Sequence, residues 1–501
     1  MDAILFLSAL VGLTSVLWLR YKRSQGNSIP TVGSSGIWDY YTGGFRFLIR
    51  APPMVKEGCT RYPGRVFRVP RLFNWEFVVS GSTLIDEVAS APEGIMSSIA
   101  AKQEMFQADI TIGPEISQNP YHFETIRVTL TRNLAKCFPD LHDEINYAFD
   151  ETFCLHGADW KLVPVLPTMM TVVARTTNRL FVGPPICRDP DYLKLVVQFT
   201  IDVAIRSQII NLLPTRLRPI LGPFISSGNE SIRKGMKHLA PLIEYRIAQE
   251  DELGPDWPGK PNDLISWLLE TAEGQERTAS RIVMRILFTN MAAIHTASAT
   301  FTHVLFDLTN HPDYIAPLRE EAEQAVQELG WTQVALNRMH KIDSFLRESQ
   351  RMHDNGPVTL LRKVVDPAGF RFSDGTLLPF GSIITAASRP AQFDPAKYED
   401  PETFDGFRFS KAREDRDRTT SEGVSSRQMI ATSADHLPFG HKHRACPGRF
   451  FAATELKAML AHLVINYDLR AEMEGVRPPD DVFGPIVLPN RKAKVGFKKR
   501  Q

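Results

Sequence analysis

The sequence predicts a mainly α-helical protein with small antiparallel β-sheets, built as one large domain behind an N-terminal membrane anchor. Long segments with apolar residues at helical spacing dominate the chain, including residues 119–149, 286–306 and 336–352. Strand patterns are few and short. No Gly/Ser/Pro-rich linker long enough to separate two cores interrupts the 501 residues.

Charge and cysteine usage exclude several functional classes. The formal net charge is +1, so bulk electrostatics give no indication of a nucleic-acid partner. The five cysteines are scattered without CxxC spacing. This pattern argues against a zinc site or a disulfide framework and is typical of a reducing compartment.

The N-terminus predicts a single-pass anchor over residues 1–23. Residues 3–19 form an apolar run of about the minimum length for a membrane-spanning helix. Arg20, Lys22 and Arg23 follow this run, whereas a cleaved signal peptide carries its positive charge first. The positive-inside tendency keeps the rest of the chain in the cytosol, which indicates the endoplasmic reticulum membrane. An uncleaved targeting sequence of another kind is the alternative. Pro- and Gly-containing residues 24–36 predict a hinge.

Local patterns predict the smaller elements of the body. Residues 66–69 and 76–80 read as a hairpin, followed by a helix over 83–89. The helical segment 119–149 is basic on one side. Residues 361–365 and 369–379 read as strands, the latter with an Asp-Gly turn. Two further irregular segments complete the pattern, an exposed meander over residues 411–435 and a turn over 483–489 that we expect to contact the substrate.

The segment 286–306 predicts a long central helix. It has no Asp, Glu, Lys or Arg in its first twenty residues, so hydropathy alone would allow a second membrane span. However, its many hydroxyl, amide and imidazole side chains, including His295 and Thr296, make a lipid-facing helix unfavourable. We therefore expect a helix buried in protein whose polar stripe lines a cavity.

Residues 336–352 form an amphipathic helical pattern with Glu348 and Arg351 three residues apart on one face. At a surface this spacing would produce an ordinary ion pair that contributes little to stability.

Residues 436–449 place one thiol, Cys446, in a Pro/Gly-punctuated loop directly before a helical pattern. Basic residues occupy positions 441–444. A helix N-terminus and cationic neighbours stabilise a thiolate, which suits a catalytic nucleophile or an axial ligand to iron. The alternative is a small buried apolar side chain, which is the usual state of a free cysteine.

The spacing of Phe439, Arg444, Cys446 and Gly448 resembles the haem-binding loop of the cytochrome P-450 family. The run 446–452 is similar to fungal, microsomal-type haem-thiolate monooxygenases. The glycine that this family usually has within the loop falls on Lys442. A side chain must therefore adopt the tight turn that glycine normally makes.

Three further segments resemble motifs of the same family in the same order. Residues 292–297 resemble its oxygen-activating helix motif, with His295 at the position of the usual acid and Thr296 at that of the threonine. Glu348 and Arg351 match its Glu-x-x-Arg motif, and residues 404–409 resemble the segment that supplies a second arginine, Arg408. Arg127, four residues after Phe123, matches an arginine that meets a haem propionate, although Phe123 replaces a tryptophan.

The resemblance implies a cytochrome P-450 fold over residues 37–501, with haem b between the central helix and the cysteine loop. It implies that Cys446 is the axial ligand, and that Thr296 with His295 moves protons, since an imidazole titrates near neutrality. It also implies that three basic residues neutralise the haem propionates, namely Arg127, Arg362 and Arg444. We expect the Glu348, Arg351 and Arg408 network to be structural.

The implied activity is monooxygenation with dioxygen and with electrons from NADPH, delivered by a membrane-bound reductase that docks on residues 441–444. The expected substrate is a lipophilic small molecule, foremost a terpenoid of fungal secondary metabolism. The alternatives are a fatty-acid or polyketide hydroxylase, an oxygen-independent enzyme of the same fold, and a haem-poor, membrane-anchored binding protein.

Overall fold

The computed structural model describes residues 29–33, 37–71, 74–155, 159–354, 356–414 and 428–500. The predicted anchor and residues 24–28 and 34–36 of the predicted hinge lie outside them. Residues 29–33 are hydrogen-bonded to the body, because the Val32 amide donates to the Arg68 carbonyl at 3.0 Å and the Arg68 amide donates to the Pro30 carbonyl at 2.9 Å. This part of the hinge segment therefore packs as an extension of the first sheet.

Helices make up most of the described chain. In chain order they are α1 (Ile37–Arg61), α2 (Ser82–Ser90), α3 (Ser98–Phe106), α4 (Ala108–Thr111), α5 (Glu115–Gln118), α6 (Tyr121–Glu124), α7 (Thr131–Phe153), α8 (Val165–Phe181), α9 (Pro190–Leu212), α10 (Arg218–Ile225), α11 (Gly228–Leu253), α12 (Leu264–Thr271), α13 (Ala279–Asn310), α14 (Ile315–Leu329), α15 (Gln333–Arg338), α16 (His340–Met352), α17 (Ser388–Gln392), α18 (Arg408–Glu414) and α19 (Arg449–Asn466).

The strands form small sheets at the side of the helical body. They are β1 (Val66–Arg71), β2 (Asn74–Val79), β3 (Met96–Ser97), β4 (Lys161–Pro164), β5 (Val358–Val364), β6 (Phe370–Arg371), β7 (Leu377–Leu378), β8 (Ile383–Ala387), β9 (Tyr467–Ala471), β10 (Asp481–Phe483), β11 (Ile486–Leu488) and β12 (Lys494–Lys499). The largest sheet has the order β1-β2-β8-β5-β3, and only its β2–β8 pair is parallel. The predicted fold class, mainly helical with small antiparallel sheets, is confirmed.

Helix α13 is the central element. It packs against α8, α9 and α11, and its buried side chains extend over nearly its whole length. Two described helices, α9 and α13, are long and apolar enough to cross a membrane, but 72% of the most apolar window of α13 is buried inside the protein. The expectation of a protein-enclosed central helix agrees with this burial.

Two predicted helices are interrupted in the structure. The segment 119–149 contains a π-helical turn, Thr125–Leu130, between α6 and α7. The segment 336–352 is divided at Met339, whose backbone (φ −78°, ψ 79°) ends α15 before α16 begins. Neither interruption has a Gly or Pro to mark it, so periodicity alone predicted continuous helices.

Candidate active site

The loop before α19 makes the turn that its sequence required. Lys442 has φ +53°, in the left-handed region, and Gly440 has φ +71°. Lys442 therefore adopts with a side chain a conformation that usually favours glycine. Its Nζ donates to Ser90 Oγ at 2.7 Å, which holds the turn against α2. The Cys446 amide donates to the Phe439 carbonyl at 2.7 Å and closes the loop.

Burial controls the protonation of the Cys446 thiol. Burial raises its pKa, while a hydrogen bond from the Gly448 backbone amide and the charges of Lys102 and Arg449 act in the opposite direction. The prediction that the helix N-terminus and basic neighbours by themselves stabilise a thiolate is therefore wrong. A coordinating metal ion deprotonates a thiol outright, so the anionic form depends on a metal.

Three of the four basic residues at 441–444 are paired within the chain. His441 Nε2 lies 2.7 Å and Lys442 Nζ 3.3 Å from Asp86 Oδ1, and Arg444 Nε lies 3.0 Å from Glu93 Oε2. These ion pairs tie the loop to α2 and to the turn after it, which reduces the charge available at 441–444 for the predicted reductase docking. Arg444, expected to neutralise a propionate, is directed by its Nε to Glu93.

Two other cations face the cysteine loop without such partners. Arg362 is 4% exposed, and its Nε and Nη2 have no hydrogen-bond partner in the described part of the chain. A β-bulge at Leu360, whose φ is +52°, changes the direction of β5 just before Arg362. Lys102, on α3, has accessible surface, yet desolvation lowers its pKa, with the nearby Arg362 charge contributing. Both observations place Lys102 in an internal cavity, since an outward-facing lysine would not be desolvated.

Aromatic contacts connect this cationic pair to α13. The Lys102 ammonium lies 5.9 Å from the centre of the Phe123 ring, and Phe123 meets Phe288 of α13 edge-on at 6.2 Å. Arg127 lies on the π-helical turn, 4.0 Å from Glu124, with its side chain 44% exposed. Its charge is near enough to Arg449 to lower the pKa of that residue, together with the larger effect of burial.

The middle of α13 is accessible at Thr296, and we infer that a cavity lies along this turn. Ala292 and Thr296 are exposed although most of this helix is buried. The Thr296 hydroxyl donates to the Ala292 carbonyl at 2.9 Å. His295 Nε2 lies 3.1 Å from the Val197 carbonyl of α9, and burial lowers the His295 pKa. The lowered pKa favours a neutral His295 at pH 7.

Glu348, Arg351 and Arg408 meet in one buried network. Arg351 donates to both carboxylate oxygens of Glu348 at 2.8 and 2.7 Å, and Arg408 Nε donates to Glu348 Oε1 at 3.1 Å. The Gln392 side chain donates to the Arg351 carbonyl and accepts from the Leu437 amide. These bonds connect the network to the segment that leads into the Cys446 loop.

These residues fit a haem. Its iron needs the Cys446 sulfur, and its carboxylates need cations that are otherwise unpaired. Within the described residues neither Arg362 nor Lys102 forms an ion pair, although the charge of Glu93 is near enough to oppose the lowering of both pKa values. Two desolvated like charges side by side are unfavourable without a paired anion. Sequence reasoning found Arg362 by resemblance but missed Lys102, because α3 has no motif and little amphipathic pattern. Only the packing of α3 against β5, and the effect of the Lys102 charge on Cys446, reveal the role of Lys102.

Comparisons with known proteins agree with this geometry. The family model described as Cytochrome P450 matches residues 169–497. Cytochrome P450 monooxygenase 110 of Postia placenta is 38% identical over 100% of this chain and 99% of its own length. Cytochrome P450 monooxygenase CYP512U6 of Ganoderma lucidum is 34% identical over 96% of this chain and 94% of its own length.

Solved structures show the same fold at low sequence identity. The retinoic acid-bound cyanobacterial CYP120A1 superimposes with a TM-score of 0.69 at 19% identity, covering 95% of this chain and 100% of that one. The haem domain of cytochrome P450DA gives a TM-score of 0.69 at 16% identity, covering 94% and 98%.

Proposed function

The chain belongs to the cytochrome P450 family and is a monooxygenase like its fungal relatives, and we propose that it hydroxylates a terpenoid or related lipophilic molecule of fungal secondary metabolism. The observation that supports this proposal best is the placement of the Cys446 thiol beside two neighbouring desolvated cations, Lys102 and Arg362, neither of which forms an ion pair within the described residues.

In this proposal each residue has a defined task. Cys446 binds the haem b iron through its sulfur, and the loop from Phe439 to Gly448 holds that sulfur in position. Arg362 and Lys102 bind the propionates, with Arg127 at the rim. The bound haem would supply the iron that activates dioxygen, and electron donation from the thiolate favours O–O cleavage.

Proton delivery is assigned to Thr296. Its hydroxyl is at the exposed turn of α13, where its oxygen can hold a water and pass a proton toward the cavity. His295 is neutral and bonded to the Val197 carbonyl, so we assign it to fixing the position of this turn against α9. Glu348, Arg351 and Arg408 are assigned to holding the loop that precedes the cysteine.

The electron donor in this proposal is an NADPH-dependent reductase with an acidic docking surface. Arg132 and Lys136 are exposed on α7, and no ion pair involves either of them in the described part of the chain. They follow Arg127 on the chain segment next to Arg449 and Cys446. Complementary charge accelerates such an encounter, so replacing both residues with glutamate is expected to slow reduction most at low salt.

We place the protein at the endoplasmic reticulum membrane with its body in the cytosol. Exposed apolar side chains support contact with lipid, including Ile205 and Ile209 on α9 and Phe224, which is 86% exposed, on α10. Deleting residues 1–23 tests the anchor: we expect alkaline carbonate to extract the shortened chain from membranes but not the full chain. Full extraction of both would reject a membrane-spanning anchor.

The central test is the carbon monoxide difference spectrum of the reduced protein. Thiolate ligation gives a strongly red-shifted Soret band, which Cys446→Ala should abolish and the exposed control Cys154→Ala should leave intact. Absence of the band from the unaltered protein would favour a haem-free binding protein. Turnover without NADPH or oxygen would indicate an oxygen-independent enzyme, and oxidation of fatty acids but no terpenoid would reject the substrate class.

A further inference from the structure

A second cluster of titratable side chains joins α13 to the segment between β9 and β10. Arg477 Nη2 lies 2.8 Å from His303 Nδ1 and 3.2 Å from His353 Nδ1. The two imidazoles stack with centroids 4.8 Å apart. Arginine is always a donor, so both Nδ1 atoms must be acceptors. Both histidines are therefore neutral, with their protons on Nε2.

Carboxylates complete the surroundings of this pair. His353 Nε2 donates to Asp307 Oδ1 at 2.8 Å, and Arg477 Nη1 donates to Asp480 Oδ1 at 3.2 Å. Asp354, the residue after His353, is a further carboxyl group here, and burial raises its pKa to about 6. The Nε2 of His303 is buried without a partner in the described part of the chain. Asp480 Oδ1 lies 3.8 Å from His303 Nδ1, beyond hydrogen-bond distance, and that oxygen already accepts from Arg477.

Arg477 already supplies a cation to these side chains. His303, His353 and Asp480 offer ligand atoms within 4.8 Å of one another, a spacing that a metal ion would also use. The guanidinium donates to all three, so we assign no metal to the cluster.

The segment that begins at Arg477 extends toward the cavity side of α13. It contains the β10–β11 hairpin, whose turn packs directly on Gly356. A Cβ atom added to Gly356 would lie 2.2 Å from the carbonyl oxygen of Pro485, so only glycine fits at this contact. After β11, the charge of Arg491 is near enough to contribute to the lowered pKa of His295, next to Thr296. The segment is therefore fixed to α13 at His303. It approaches the same helix again at His295, two helical turns closer to the N-terminus of α13.

We propose that Arg477 is a positioning residue for this wall of the cavity and is engaged only while Nδ1 of His303 is unprotonated, so that acidification releases the segment. Protonation of Nδ1 removes the accepting lone pair and places a second positive charge against the guanidinium. Only the statement that this cavity takes a substrate rests on the proposed function.

The direction of the effect follows from the free energies of the two states. Burial, together with the positive charge of Arg477, holds the pKa of His303 well below its usual value. In the released segment an imidazole regains a pKa of about 6.5. Engagement is therefore fully favoured above about pH 6.5 and weakens by about tenfold for each pH unit below it, through protonation of His303.

Hydrogen exchange of the full-length protein, read by mass spectrometry over residues 477–493, tests this proposal without turnover. After correction for intrinsic exchange, we expect protection to fall at least about tenfold between about pH 7.5 and 5.5. The double variant His303→Asn/His353→Asn, whose amide oxygens replace the Nδ1 acceptors without titrating, should keep its protection at both pH values. Arg477→Gln should lose protection at both.

The exposed control His443→Asn should behave like the unaltered protein. Equal corrected protection at both pH values in the unaltered protein, or the same acid loss in the asparagine double variant, would overturn the proposal. A second readout is the Soret shift caused by the azole clotrimazole. Arg477→Gln should weaken this binding about fivefold or more at about pH 7.5 while the carbon monoxide band persists. Unchanged clotrimazole affinity would reject the positioning role, whereas loss of the band from the unaltered protein bears only on the proposed function.

Discussion

Replacing Glu455 with glutamine should stabilise the protein at alkaline pH. Glu455 is on α19 and is 1% exposed. Its carboxylate accepts hydrogen bonds from the hydroxyls of Thr176 at 2.6 Å and Thr177 at 3.0 Å on α8. Burial raises the Glu455 pKa to about 7, against the opposing effect of these two bonds. Among the described residues, no cation forms an ion pair with it.

The magnitude follows from the difference between folded and unfolded pKa values. The folded value exceeds the ordinary 4.5 by about 2.5 units, equivalent to about 3 kcal/mol. Because the folded pKa is raised, this stability is fully present below about pH 4.5 and is lost as the pH rises to about 7. A neutral glutamine avoids that loss, but its NH₂ group must be buried without a ready acceptor, which costs about 1 kcal/mol.

We therefore expect Glu455→Gln to exceed the unaltered protein by about 2 kcal/mol in free energy of unfolding at about pH 8. At about pH 5 the advantage should disappear. Urea denaturation of the haem-loaded protein at both pH values measures this difference, with the exposed Glu474→Gln as the matched control. A difference that does not change with pH, or a variant less stable at pH 8, would refute the reasoning.

Four further substitutions test the site. Glu348→Gln leaves two arginines around a neutral amide and should cost about 3–5 kcal/mol in urea unfolding, whereas an unchanged midpoint would contradict a buried ionic network. Lys102→Gln should speed haem transfer to apomyoglobin about tenfold and the exposed Lys136→Gln should not, so equal rates would remove Lys102 from the haem site. Lys442→Gly relieves about 1 kcal/mol of backbone strain and loses an exposed contact of less than about 1 kcal/mol. The carbon monoxide band should therefore persist, and its loss would mean that the side chain is required. Thr296→Ala should lower product per NADPH and raise hydrogen peroxide, and unchanged coupling would exclude it from proton delivery.

Much of the fold was predictable because its signals are local. Apolar periodicity located α13 and α16, and the Asp-Gly pair located the β6–β7 turn, where Gly375 has φ +86°. The π-helical turn at Thr125–Leu130 was not predictable, because the tertiary packing of α6 and α7, and no residue type, selects it. The break between α15 and α16 at Met339 was not predictable for the same reason, because no residue type marks it.

The site residues also fall into those that a local sequence pattern predicts and those that it does not. Cys446 and the Glu348–Arg351 pair are encoded by short spacings within one segment. The charges at 441–444 were visible in sequence, but Asp86 lies 355 residues from His441, so its pairing was not. Lys102 acquires its importance only from neighbours distant in the sequence.

The buried proximity of Lys102 and Arg362 has a consequence for how the protein matures. In the folded chain two like charges lie side by side, and a haem bound as proposed would neutralise them with its carboxylates. Ligands that bind only the native state raise its stability by mass action. Chain maturation should therefore track the supply of the prosthetic group. In a cell starved of iron, the unfilled polypeptide would be the form that quality-control proteases remove first.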